Sequence, residues 1–198
     1  MKIQELVQPK TIPQLPVDPK TGMNKLDVGG TVASPIDPKA QPLLNAARQA
    51  GIKGLELAQF LAQMEHESWD FKKMAEVPQH KNYFKKYDIK HAPRQARALG
   101  NIYPGDGERY RGRGYIQLTG RNNYTMATQA LGIDLVNNPH LASKPDIAAQ
   151  IAIWYWNTRV KPNVKDFRDT ATVTRYINPG LKGLQDRQQN FQNYMQNI

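Results

Sequence analysis

Between residues 55 and 71 the buried-type side chains fall on one line. Leu57, Phe60, Leu61, Met64, Ser68 and Phe71 recur at i, i+3, i+4 spacing, which predicts an amphipathic helix over residues 55–68. A stripe of that length must be covered by other elements, and the chain supplies them as short helical patterns. These fall at 43–50, 93–99, 122–131, 146–158, 169–177 and 184–195. Gly51, Gly100 and Gly132 close three of them, and Asn178, Pro179 and Gly180 close a fourth. Residues 115–118 read as a short strand or extended piece, and 101–107 are rich in turn residues. The expected fold is mainly α (α+β), with a small strand-and-loop lobe between about residues 70 and 120.

Residues 1–42 differ from the rest. They hold seven of the fourteen prolines (9, 13, 16, 19, 35, 38 and 42), and their apolar residues follow no period. Such a segment runs extended, and it is expected to be an arm or docking linker. The globular domain is expected over 43–198, long enough for one real core. There are no cysteines, which excludes disulfides and thiolate metal sites. No apolar run approaches the roughly 20 residues of a membrane helix. The start, MKIQELVQPK, has no apolar signal region.

The net charge is +10, unevenly placed. Residues 81–121 carry ten Lys or Arg against Asp88, Asp106 and Glu108, a net of +7. This predicts an anionic partner; a merely solvated basic face is the bland alternative. Aromatics do interleave with basic residues near 109–124. They lack the spacing of a base-stacking platform, so nucleic acid is not expected as the partner.

Glu67 lies at the margin of the 55–68 stripe. A carboxyl that loses hydration at such an edge is suited to carry a proton to a leaving oxygen. The same spacing also fits a surface glutamate packing its stem on the helix edge. Inverting glycoside hydrolysis needs a second carboxylate across from the first, with room for a water. Glu65 and Asp70 point to other sides of the helix. Glu76 is nine residues on, about 13.5 Å further along a continuous helix and on its opposite face. It can join Glu67 only if the helix ends near residue 69 or 70 and the chain folds back.

In GRGYIQLTGRNNY (112–124), Gly112, Gly114 and Gly120 permit close backbone approach to a ligand. Gln117, Thr119 and Asn123 offer donors and acceptors for sugar hydroxyls and N-acetyl groups, and Thr119 is suited to holding a water. His66 adjoins Glu67 and reads either as an orienting group or as a structural hydrogen-bonder. With four histidines, no cysteine and no HExxH, no zinc site is expected. Trp154, Tyr155 and Trp156 read mostly as core, with room for one sugar contact.

Taken in order, HES, a Glu nine residues later, GRGYIQLTGRNNY, IAIWYW, VTRYINPG and DRQQNFQNY resemble the family-19 glycoside hydrolases. The likeness is closer to a phage endolysin branch than to plant chitinases, and it spans about residues 43–198. It implies a lysozyme-like fold with a substrate cleft, and inversion with Glu67 as acid, Glu76 as base and Thr119 on the water. It implies substrate-binding positions at Gln117 and Asn123 and positions near the cleft at Asn178 and Arg187, where Arg187 could pair with a catalytic carboxylate; with His66 and Tyr115 these are the candidate substrate-binding residues. No cofactor or metal is implied. Where the family often has INGG, this chain has Ile177, Asn178, Pro179 and Gly180, and proline removes a backbone donor. The 1–42 arm has no counterpart in the family domain.

The implied activity is cleavage of the β-1,4 bond between N-acetylmuramic acid and N-acetylglucosamine in peptidoglycan. The enzyme would be made in a bacterial cytoplasm and reach the wall by holin-type release or as part of a phage particle. The arm would then dock on tail or baseplate proteins. A chitinase and a non-catalytic virion wall-binding protein are the other readings.

Overall fold

The computed structural model describes residues 36–198, so the proline-rich arm lies almost wholly outside the described residues. A 3₁₀ turn, Pro38–Ala40, leads into α1, Gln41–Gln49. Then come α2, Gly54–Glu67; α3, Pro93–Ala98; α4, Asp106–Arg109; and α5, Arg121–Leu131. The chain ends with α6, Pro145–Tyr155; α7, Thr170–Arg175; and α8, Leu184–Asn197. A π-helical turn, Trp156–Val160, extends α6. The mainly helical expectation holds, and the long helices lie within two residues of their expected ends, apart from the π turn.

The core begins before residue 43, because Ala40 is already fully buried. Its axis is α2. That helix is more deeply buried than an amphipathic stripe implies: every residue from 57 to 64 is buried, including Gln59 and Gln63. The helices α1, α7 and α8 pack on it. Trp156, fully buried, meets Phe60 edge-on at 5.3 Å and stacks on Phe167 at 5.8 Å. Its indole N–H donates to Glu56 at 3.0 Å, so the apolar ring is buried without stranding its polar atom.

The lobe between residues 70 and 120 departs from expectation in detail. Among the described residues it has no extended strand. The backbone pairs only at isolated bridges, Ala75 with Arg113 and Arg113 with Leu118. Residues 115–118, expected to be extended, instead form a tight turn, with Gln117 at φ 50°. Side chains do the work that a ladder would do. Arg113 is buried, and its guanidinium donates to the carbonyls of Arg109 and Arg111 and to the Tyr124 hydroxyl. Asp106 takes two donors from Arg121 and the N–H groups of Ile102 and Tyr103.

Gly120 joins this loop to α5 at φ 89°, ψ 144°, a region open essentially to glycine alone. A Cβ there would lie 2.5 Å from the Leu99 carbonyl oxygen and 2.7 Å from the Leu99 Cβ. Gly120→Ala is expected to lower stability by roughly 1–3 kcal/mol from backbone strain, with overpacking adding to it. Urea denaturation would check this, and an unchanged midpoint would contradict it.

Candidate active site

The helix α2 ends at Glu67, as a Glu67–Glu76 pair requires. Trp69, Asp70 and Phe71 then all take left-handed backbone, at φ 52°, 55° and 58°. Three consecutive non-glycine residues in that region turn the chain sharply back. Phe71 returns to the core against Tyr115, at 6.0 Å. Ala75 then pairs with Arg113, and the Glu76 N–H donates to the Gly112 carbonyl at 2.8 Å.

Glu76 therefore sits on the glycine loop. Its Oε2 accepts the Gly112 N–H at 3.3 Å. Its Oε1 accepts from Lys86 Nζ and from the Tyr87 hydroxyl, both at 3.2 Å. Thr119 belongs to the same spot: a Cβ built on Gly112 would lie 3.2 Å from the Thr119 Oγ1. The Thr119 hydroxyl donates to the Gln117 carbonyl at 2.7 Å, which leaves its lone pairs available. Both glutamate side chains keep 18% of their surface, so they are neither sealed in nor fully solvated.

Glu67 is held from behind. Arg187, only 1% exposed, donates from Nη2 to Glu67 Oε1 at 2.5 Å and from Nη1 to Gln63 Oε1 at 2.6 Å. Its Nε donates to the Lys182 carbonyl. The predicted pairing of Arg187 with a carboxylate is thus present, made from inside the protein rather than from a surface position. Next along α2, His66 Nδ1 bonds Asp186 at 2.5 Å, and its ring lies where a Cβ on Gly183 would be. Glu65, on another side of the helix end, bonds Tyr194. Burial pushes its carboxyl upward, with negative charge from Asp70, Asp186 and Asp37 adding to the effect.

The other predicted residues use much of their polar capacity locally. Gln117 donates to the carbonyls of Lys73 and Gly114, tying the glycine loop to the segment after the turn. Asn123 donates to the Thr119 carbonyl and accepts from Arg159. Tyr115 is buried, and burial pushes its hydroxyl above the usual tyrosine range. The Asn178 side chain accepts the Gly180 N–H, across the proline that replaces a donor. Lys86, Tyr87 and Gln63 were not singled out from the sequence, although all three touch a candidate carboxylate or its partner. The cluster YFKKY at 83–87 is the only signal for the first two, and Gln63 has none beyond its place on the α2 pattern. Trp69 is 65% exposed beside the turn, with Lys73 Nζ 3.6 Å from its ring centre. A depression of about 550 Å³, lined by Phe84, Lys85 and His91 among others, includes none of Glu67, Glu76 or Thr119.

Two carboxylates on separate elements, one held by a buried arginine and the other on a glycine loop that also carries Thr119, are the equipment of an acid–base glycoside hydrolase. Residues 37–179 match the family model for glycoside hydrolase family 19, chitinase class I, and the chain belongs to that family. A glycosyl hydrolase family 19 domain-containing protein of Haemophilus influenzae is 34% identical over 157 residues, 69% of this chain and 76% of that protein. An endochitinase of Arabidopsis thaliana is 32% identical over 137 residues, 68% of this chain but 43% of the plant protein. The chain thus spans less than half of that plant relative. Among solved structures, chitinase C from Streptomyces griseus matches with a TM-score of 0.59 at 26% identity, covering 79% of this chain and 82% of the other. The protein is a glycoside hydrolase of the lysozyme-like, mainly helical type, acting on a polysaccharide.

Arg187 links the acid candidate to the core. Arg187→Met leaves Glu67 without its arginine donor and Gln63 Oε1 with only the long bond from the Thr174 hydroxyl, and Glu67 keeps some solvent. The expected destabilisation is about 3 kcal/mol, the low end for a broken buried pair. A melting temperature equal to wild type would show that the pair is not holding the helices together.

Proposed function

We propose that this enzyme is a phage-type peptidoglycan hydrolase, cleaving the β-1,4 bond between N-acetylmuramic acid and N-acetylglucosamine with inversion. The observation that supports the mechanism is the fold-back after Glu67, which brings Glu76 onto the backbone of Gly112, a residue that Thr119 also flanks. Glu67 gives its proton to the leaving oxygen as that bond breaks. Glu76 takes a proton from the water attacking the opposite face, and Thr119 orients that water. Arg187 fixes the Glu67 carboxyl. His66, Gln117, Asn123 and Asn178 shape the surface that receives the sugars, and Tyr115, buried against Phe71, backs it from the core. The net +7 of residues 81–121 supports an anionic wall over neutral chitin as substrate.

The second reading is a chitinase, favoured by the names of the plant and Streptomyces relatives. Product analysis on purified peptidoglycan and on chitin separates the two. Wild type is expected to release reducing N-acetylmuramic acid ends from peptidoglycan. Glu67→Gln is expected to lose activity by at least about 10²–10⁴-fold, the contribution typical of a positioned acid. Cleavage of chitin alone would decide for the chitinase, and anhydro-muramic ends would remove the role of Glu76. Wall hydrolysis is also expected to weaken as salt rises from low to physiological, because screening shortens the reach of the basic face. A flat salt profile would contradict the charge argument.

The arm, residues 1–42, is proposed to dock the domain on a phage tail or baseplate, with holin-released free enzyme as the alternative. Deleting residues 1–35 is expected to leave catalysis intact and abolish incorporation into particles. Normal incorporation of the truncated chain would end the docking role.

A further inference from the structure

The assignment of Glu76 as base leaves its other oxygen unexplained. Oε2 takes only the N–H of Gly112, a residue that Thr119 also flanks, whereas Oε1 takes both Lys86 and Tyr87. The two donors come from one short element, the 3₁₀ turn Tyr83–Tyr87. With three residues per turn, Tyr83 and Lys86 stand one above the other. The Lys86 ammonium lies 3.6 Å from the Tyr83 ring centre and 4.7 Å from that of Tyr87. It is therefore fixed on three sides, by two aromatic faces and a carboxylate, although 43% of the side chain is exposed.

We infer that Lys86 is a positioning residue for hydrolysis: seated between Tyr83 and Tyr87, it pins Glu76 by Oε1 and so leaves Oε2 aimed at the attacking water. This rests on the reading of Glu76 as the base. A carboxylate on a flexible side chain otherwise rotates, and either oxygen, or neither, faces the water. Anchoring one oxygen with a fixed cation removes that freedom before substrate arrives. A hydroxyl alone fixes the carboxylate less firmly than a charge-assisted bond does. Lys86 also stays charged across the working range. Burial works against the ammonium, but bonds to Tyr83, Tyr87 and Glu76 outweigh it and carry it well above the usual lysine range. Nothing in this arrangement needs Lys86 to touch the sugar.

The test is steady-state kinetics of Lys86→Met, Lys86→Gln and Lys86→Arg beside Glu76→Gln, on whichever soluble glycan oligomer the wild type cleaves. Lys86 is partly exposed, and melting curves would establish that each variant is folded. Lys86→Met and Lys86→Gln are expected to lose kcat by roughly 10- to 100-fold, the cost of a misplaced catalytic group, with KM little changed. Lys86→Arg, which keeps the charge and the stacking on tyrosine, is expected to recover most of that loss. The inference is overturned by wild-type kcat in Lys86→Met, by a rise in KM alone, or by Lys86→Arg being no better than Lys86→Met. Full activity in Glu76→Gln overturns it together with the base assignment. An inactive Glu76→Gln beside a fully active Lys86→Met overturns the role of Lys86 alone.

Discussion

A line of hydrogen bonds through the core fixes where the chemistry can happen. Gln59 donates to the Thr170 hydroxyl at 2.6 Å, and Gln63 to the Thr174 hydroxyl at 3.1 Å. Arg187 closes the line on Gln63 and Glu67. All of these groups except Glu67 are buried. A buried amide or guanidinium without partners costs free energy, and these satisfy one another only in one alignment of α2, α7 and α8. The apolar core tolerates small slips between helices; this line does not. The place of Glu67 is thereby set by the packing of three helices rather than by its own rotamer.

Glu76 is fixed on different terms. Its lobe has no sheet and little apolar core of its own among the described residues, and it is held by arginines and by backbone approaches at glycines. Arg113 gathers two carbonyls and a tyrosine hydroxyl, and burial, opposed by Arg113, pushes the Tyr124 hydroxyl up to about 12. Arg121 and Asp106 hold the far side of the loop. Much of the basic charge that reads in sequence as a surface property is thus partly structural. Lys81, Lys85 and Lys90 remain exposed for a partner, whereas Arg113 does not.

The helices were legible because their signals are local: the spacing of Leu57, Phe60, Leu61 and Met64, and the glycines at 51, 100 and 132. The burial of Gln59 and Gln63 was not, because their partners lie about 110 residues away and only the assembled core makes them acceptable. The turn at 69–71 was legible only as a requirement. Asp70 tolerates left-handed backbone, but Trp69 and Phe71 carry no mark of it, and there it accompanies the return of Phe71 to the core and the pairing of Ala75. The short turn at 115–118 was misread because Tyr, Ile and Leu favour strands. There Gly114 and the positive φ of Gln117 outweigh that preference. In the site, the motif residues were visible one by one, but Lys86 and Tyr87 were not. Their meaning depends on a contact ten residues away across a loop.

The sharp turn at residues 69–71 joins two regions of unequal strength. On one side stands a carboxyl anchored in the helical core. On the other stands one carried by a lobe that polar bonds hold together. Under the roles assigned here, loosening that lobe leaves the proton donor in place and removes the group that activates water. Such a molecule still grips a glycosidic oxygen but has lost its means of completing the cut. The enzyme is therefore expected to fail as a hydrolase before it fails as a fold.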